Sequence, residues 1–217
     1  MSAIFPRWTN RLPLMIIIGV GMVGSAVVAG VWYYCTPSYT RVGYQPIQPV
    51  PFSHAIHAGQ LGLDCRYCHT GVEKSWFSNI PASSTCMNCH SQILKDDPRL
   101  AIVRESAASG KPVPWVQIHK LPDFAYFNHS VHVNRGISCV ECHDRVDQMD
   151  EVYHAKPLGM SFCLQCHRHP ELKLRPPDKI TDLAWKPESE AKQKEFGERA
   201  MREWKVESLQ TCSACHR

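Results

Sequence analysis

Between Arg11 and Arg41 the chain carries no charged residue, and Leu12 to Tyr34 is apolar almost throughout. At helical rise this run covers about 34 Å, enough to cross a bilayer. A signal peptide has a shorter apolar region and a small-residue cleavage site. Val27-Val28-Ala29 is only a weak site of that kind, so the segment is expected to be retained. Trp32, Tyr33 and Tyr34 close the run and Trp8 stands near its other end, the placement of an interfacial aromatic belt. Arg7 and Arg11 precede it and favour a cytoplasmic N-terminus. Residues 1–38 therefore read as a cytoplasmic N-terminus and a single transmembrane anchor.

No comparable apolar run follows. Residues 39–51 are polar and Pro-rich, an extended linker. Asp97-Pro98-Arg99-Leu100 predicts a short helix, with Asp as N-cap and Pro at the first position, ending near Gly110. Lys111 to Trp115 is a Pro-rich joint, and Pro170, Pro176 and Pro177 mark irregular chain. Pro187 to about Leu209 predicts an exposed helix with a Phe196/Ala200/Trp204 stripe, read as core-facing. Along its sides run the pairs Glu188/Lys192, Glu190/Lys194, Glu195/Arg199 and Glu198/Arg202. The expected fold class is mainly α and irregular, one N-terminal transmembrane helix plus a loop-rich domain over 52–217. In the membrane span, Gly19-Val20-Gly21-Met22-Val23-Gly24 spells a dinucleotide fingerprint, but no strand precedes it. The pairs Gly21/Ser25 and Ala26/Gly30 fit close packing against a membrane partner better.

The composition changes the picture at one residue type. Eleven Cys in 217 residues suggest a disulfide scaffold until their spacing is read. Ten fall in five copies of Cys-x-x-Cys-His: Cys65/Cys68/His69, Cys86/Cys89/His90, Cys139/Cys142/His143, Cys163/Cys166/His167 and Cys212/Cys215/His216. This is the attachment signature of a c-type haem: two thiols reach the two vinyl groups of a porphyrin, and the adjacent His ligates the iron. One copy competes with zinc binding or redox exchange, but five make the chain read as a pentahaem cytochrome c. Only Cys35 is left over, a free thiol at the membrane interface. Sixteen Pro, twelve Gly and roughly 35 residues per haem leave little aliphatic core, so the porphyrins must supply much of the buried apolar surface. The net charge of +4, with no Lys/Arg cluster, gives no reason to expect nucleic acid as a partner.

The haem domain repeats itself. Phe52-Ser53-His54-Ala55-Ile56-His57 precedes Cys65 and Cys86, and Phe127-Asn128-His129-Ser130-Val131-His132 precedes Cys139 and Cys163. Val72-Glu73 is mirrored by Val146-Asp147. This gives a dihaem repeat at 52–96, a joint at 97–126, a second repeat at 127–170 and a C-terminal helix with the fifth haem at 171–217. Each His-x-x-His places two imidazoles one turn apart, able to reach different irons. His54, His57, His129 and His132 thus supply four of five sixth ligands, and His119 is taken for the fifth. His154 and His169 have no counterpart in the first copy, and Met160 is an alternative ligand. His/His ligation fills both axial positions and leaves none open for substrate.

Phe-x-His-x-x-His ahead of Cys-x-x-Cys-His is similar to multihaem cytochromes of the c3/c7 type, where the first His serves the nearest haem and the second another. With the uncleaved anchor, Trp115-x-x-x-His119-x-Leu121-Pro122-Asp123 and Pro157-Leu158-x-Met160, the layout resembles the pentahaem subunit of alternative complex III, a bacterial quinol-oxidising membrane complex. His154 is not part of that pattern. The resemblance implies a conduit in the inner membrane with its haem domain on the periplasmic side. Electrons would come from polytopic quinol-oxidising subunits beside an iron-sulfur protein subunit, and leave to a monohaem cytochrome c or a soluble periplasmic carrier. No catalytic site of its own is expected. Competing readings are a quinol dehydrogenase feeding a periplasmic reductase, a quinone reductase run in the opposite direction, a multihaem reductase enzyme, and a metal store or sensor. The reductase enzyme needs an open iron, commonly built with Lys in place of the motif His, whereas all five motifs keep His.

Overall fold

In the computed structural model residues 5–35 and 41–216 are described, and the chain divides between Arg41 and Val42 into two units. In the first, Thr9 bonds back to the Pro6 carbonyl through its N–H (3.1 Å) and hydroxyl (2.7 Å). That closes a 3-10 helix over Arg7–Arg11, which runs straight into α1 (Leu12–Cys35). Pro13 falls in the first turn, where a missing N–H costs nothing. No residue of α1 is buried within the chain, and Trp8–Cys35 is long and apolar enough to cross a membrane. Such a helix satisfies its own backbone groups and is stable where its surroundings are apolar. The expected junction at residue 38 lies outside the described residues, as does the start of the linker.

The second unit is mainly helical and irregular; among the described residues no strand forms, only a bridge between Ile137 and Leu174. The stretch 42–51, expected to be a free linker, is docked along this unit. Gly43 donates to the His154 carbonyl (2.8 Å) and His154 to that of Tyr44 (3.0 Å). Gln48 bonds both the N–H and the carbonyl of Val116, and Val50 is buried. Polar side chains that can satisfy a neighbouring backbone override the Pro-rich local bias.

Short helices punctuate the rest: α2 (Cys65–Cys68), α3 (Ser83–His90), α4 (Ala101–Ser109), α5 (His129–Val133), α6 (Val140–His143), α7 (Met160–Arg168), α8 (Glu190–Trp204) and α9 (Cys212–Cys215). His54 leads into a π-helical turn, Ala55–Gln60, packed on the 3-10 turn Val146–Gln148 that follows α6. α4 forms as its sequence predicts. The Asp97 carboxylate accepts from the Arg99 N–H, a 3-10 turn Pro98–Leu100 follows, and Gly110 closes the helix at φ 73°.

α8 is shorter than expected. The Ser189 side chain caps it by accepting from Lys192 N–H, and Lys205 ends it in a left-handed conformation at φ 53°. Its ion pairs are Lys192–Glu195 and Lys194–Glu198, both at 3.9 Å, rather than the four expected. Gln193, Gly197 and Ala200 are buried, with Phe196 and Trp204 half-buried beside them, so the stripe does face inward. Gly197 lets α8 lie directly on the Glu171 backbone: a Cβ there would stand 2.5 Å from its carbonyl carbon and 2.6 Å from its Cα. The buried apolar set is small and dispersed: Val103, Val133, Met149, Leu174, Ile180, Leu183 and Ala200 besides Val50.

Candidate haem centres

Each Cys-x-x-Cys occupies one helical turn: α2 and α9 are nothing else, α3 and α7 contain one each, and Cys139 caps α6. Residues three apart share a helix face, so the two thiols of a motif face the same side. The backbone closes the motifs alike, with His69 N–H to Cys65 O at 2.8 Å, His143 to Cys139 at 2.9 Å and His216 to Cys212 at 2.9 Å. All eleven cysteines are free of disulfides. Among the described residues no three or more His, Cys, Asp or Glu gather around a single point suited to a bare metal ion.

The ten motif thiols are not equally enclosed. Cys65, Cys68, Cys86, Cys139, Cys142, Cys163, Cys166 and Cys215 are half-buried, whereas Cys89 and Cys212 are exposed. Cys89 lies near the end of α3, and the chain turns away directly behind it: its carbonyl accepts from Gln92 N–H (3.0 Å) and Ile93 N–H (2.9 Å). α3 packs on α4 from its other end, where the Ser83 and Ser106 hydroxyls meet at 2.5 Å, so nothing of α4 is drawn over Cys89. Cys86, one turn earlier, keeps the half-buried place in this motif. Cys212 opens α9 and is exposed.

An imidazole that ligates through Nε2 carries its proton on Nδ1, and an acceptor there fixes tautomer and ring orientation. Backbone carbonyls stand at Nδ1 of six candidate ligands. These are Ser53 for His57, Asn79 for His69 and Trp76 for His129, each at 2.8 Å. Ile93 serves His90 at 3.0 Å, Asn128 serves His132 at 2.8 Å and Phe124 serves His216 at 2.9 Å. The same device recurs in both repeats, since the acceptor for the second His is always four residues upstream. Phe52 stacks on His57 (4.4 Å) and meets His54 edge-on (4.9 Å); Phe127 lies tilted over His132 (4.5 Å) and meets His129 edge-on (4.8 Å). These two clamping phenylalanines are site residues that only the repeat itself points to in the sequence.

Two imidazoles bound on opposite sides of one metal at about 2 Å have ring centroids about 6 Å apart. His54 and His69 lie 6.4 Å apart with planes 3° from parallel, His57 and His90 6.2 Å apart, and His132 and His167 6.1 Å apart. His54 and His57 thus face two different motif histidines. Burial and the neighbouring His69 and His57 push His54 down to about 4, and burial lowers His132 too. Burial, then His119, His129, His69 and His154, push His143 down to about 3. All three are neutral at physiological pH, the form that binds metal. His119 Nε2 lies 3.4 Å from Nδ1 of His143, with ring centroids 4.4 Å apart. His154 is 1 % exposed and its ring lies 5.1 Å from that of His119. His169 is exposed and pairs with Glu171 at 3.4 Å; Met160 is exposed at the start of α7.

Thiols of different motifs influence one another. The neighbouring Cys139 lowers Cys65, and Cys65 raises Cys139. Burial and Cys86 raise Cys68; burial, Cys166 and Cys163 raise Cys142 to about 12; burial and Cys215 raise Cys163. Numbering the motifs along the chain, these influences run second–first–third–fourth–fifth. Hydrogen bonds and ion pairs also join the stretches around different motifs. Asn88 donates to the Tyr67 hydroxyl (2.9 Å), and Ser130 N–H to the Ser75 carbonyl (3.1 Å). Glu141 pairs with Lys173 (2.9 Å) and Arg175 (3.2 Å), the Ser208 hydroxyl donates to the His167 carbonyl, and Tyr126 N–H to the Cys215 carbonyl.

Apolar side chains that would normally be internal line these motifs at the surface. Ile56, Leu61, Leu63, Tyr67, Trp76, Phe77 and Ile80 surround the first two, and Phe124, Tyr126, Val131, Leu172 and Leu209 the last three. Such apolar patches mark binding surfaces, and together with paired thiols and oriented neutral imidazoles they fit covalently held porphyrin.

No protein-family model matches the chain. It is 31% identical over 200 residues to the "Menaquinone reductase, multiheme cytochrome c subunit" of Nitratidesulfovibrio vulgaris (strain Hildenborough), covering 91% of this chain and 88% of that one. An identity of that level across nearly the full length, on a chain with this spacing of thiols and imidazoles, settles the family: the chain belongs to the multihaem cytochromes c, with covalently bound haems.

Proposed function

We propose that the chain is a membrane-anchored pentahaem conduit that moves electrons between quinone chemistry in partner membrane subunits and a redox partner on the periplasmic side. The haems supply the electron transfer. The protein sets their spacing, orients their imidazoles, and closes the axial positions to other ligands. His54/His69, His57/His90 and His132/His167 serve the first, second and fourth irons. His129 with His143 serves the third, by the equivalence of the repeats, and His216 binds the fifth. One observation carries the reading: three imidazoles of the His-x-x-His pairs face a motif histidine at 6.1–6.4 Å, the spacing of two ligands on one iron.

Two directions of flow fit this arrangement. The alternative-complex-III layout of anchor, duplicated unit and bridging stretches supports electrons leaving a quinol for a monohaem cytochrome or a soluble carrier, with an iron-sulfur subunit alongside. The relative's description as part of a menaquinone reductase favours the opposite direction, from a periplasmic donor to menaquinone. Purification from membranes with partners retained, followed by separate additions of a menaquinol analogue and of a reduced periplasmic cytochrome, decides between them. Haem reduction by the quinol alone supports the first direction, and reduction by the cytochrome with quinone as final acceptor supports the second. Recovery without any polytopic partner contradicts both.

A further inference from the structure

Three motif histidines, His69, His90 and His216, have a backbone carbonyl at Nδ1. His143 instead meets another imidazole, with Nε2 of His119 at 3.4 Å. If His143 ligates through Nε2, its Nδ1 is the donor and His119 Nε2 must accept, which puts the His119 proton on its own Nδ1. The surroundings hold His119 in that pose. Gln48 clamps Val116, three residues earlier, by accepting from its N–H (3.0 Å) and donating to its carbonyl (2.9 Å). The Gln117 amide donates to the His119 carbonyl (3.1 Å). The His154 ring packs 5.1 Å away at 34°, and its backbone is held on both sides by Gly43 and Tyr44. The ordering therefore runs from the docked segment 42–50 through His154 to His119 and then to His143, the motif at the centre of the thiol series.

We propose that His119 is a positioning residue rather than an iron ligand: it accepts the Nδ1–H of His143 and, backed by the buried His154, tunes the potential of the third haem. This rests on the reading of the third motif as a haem site. An imidazole acceptor on the outer nitrogen makes the ligand more basic and favours ferric iron. It would set the central haem apart from those whose histidines donate to carbonyls, and it gives His154 a role that the repeats leave unassigned.

The test is a redox titration of the full detergent-extracted protein, followed by optical and EPR spectra, on wild type and on His119→Leu. The proposal expects the same haem spin states in both, with one midpoint potential moved upward in the variant and four unmoved; His119→Gln, whose amide oxygen can accept, brings that potential part of the way back. A high-spin haem present in His119→Leu and not in wild type makes His119 an axial ligand and overturns the proposal, as does an unchanged set of potentials. His154→Gln, which leaves His119 in place, should move the same potential in the same direction by less; no movement removes His154 from the arrangement. A wild-type haem content lacking the third haem would instead defeat the underlying haem assignment.

Discussion

Gly197→Ala separates a packed α8 from an exposed one, because the two cases predict opposite signs. On a free helix the change stabilises by about 1 kcal/mol, the propensity difference between Gly and Ala. Here the new Cβ would meet three backbone atoms of Glu171, its carbonyl oxygen, carbon and Cα, none able to rotate away. α8 must move outward, at an overpacking cost of about 1–3 kcal/mol. The same movement strains two Gln193 side-chain bonds, to Glu171 O (3.0 Å) and Leu174 O (2.8 Å), each worth about 1 kcal/mol. Set against the propensity gain, the net loss is about 3 kcal/mol, or about 6–12 °C in Tm for a unit of this size. The assay is circular dichroism melting of the holoprotein at one fixed scan rate, since covalent haem makes scans rate-dependent. A Tm equal to or above wild type would refute the packing of α8 on Glu171.

Asp64 caps α2 by accepting from Arg66 N–H (2.8 Å) and pairs with the Arg66 guanidinium, so Asp64→Ala should cost about 1 kcal/mol and slow attachment of the first haem, read as haem per protein by absorbance and mass. Its carboxyl is held down to about 2, chiefly by the Arg66 side chain. A depressed acid stabilises the fold above its unfolded pKa near 3.8 and loses that contribution as pH falls towards 2, so the Asp64→Ala penalty should fade over that window in melts from pH 5 to pH 2; a penalty constant with pH contradicts the ion-pair reading. The effect stays small because the pair is largely solvated. His169 and Met160 are exposed, and His169→Ala and Met160→Ala should leave the spin state and potential of every haem as in wild type; a new high-spin signal from either identifies a missed ligand.

What could be read from the sequence is what covalent chemistry fixes locally. Two thiols and an imidazole need one helical turn, so the five motifs were legible, as was the recurrence of Phe-x-His-x-x-His ahead of two of them. So was α4, whose Asp97, Pro98 and Gly110 are each a local signal. Contacts between distant segments left no such trace. The docking of 42–51 depends on Gln48 finding Val116, and the place of His119 depends on two buried neighbours, one of them His154 at the far side of the third motif. The motif spacing treats Cys86 and Cys89 as equals, and only the turn after His90 leaves the second of them in solvent. The ends of α8 are set by a Ser189 cap and a left-handed Lys205, which outweighed the longer charge pattern. The influence of Cys139 on Cys65 links the third motif to the first, where sequence order would have placed the second next to the third.

The central claim is an ordered line of haems held between named imidazoles, and locating the irons tests it most directly. An anomalous-difference map at the iron edge from crystals of the haem-loaded protein should show five peaks. Three should lie between His54 and His69, His57 and His90, and His132 and His167, and the five should follow the order second, first, third, fourth, fifth. Fewer than five peaks, an iron flanked by other residues at one of those pairs, or a line that does not pass from the first motif to the third would contradict the account.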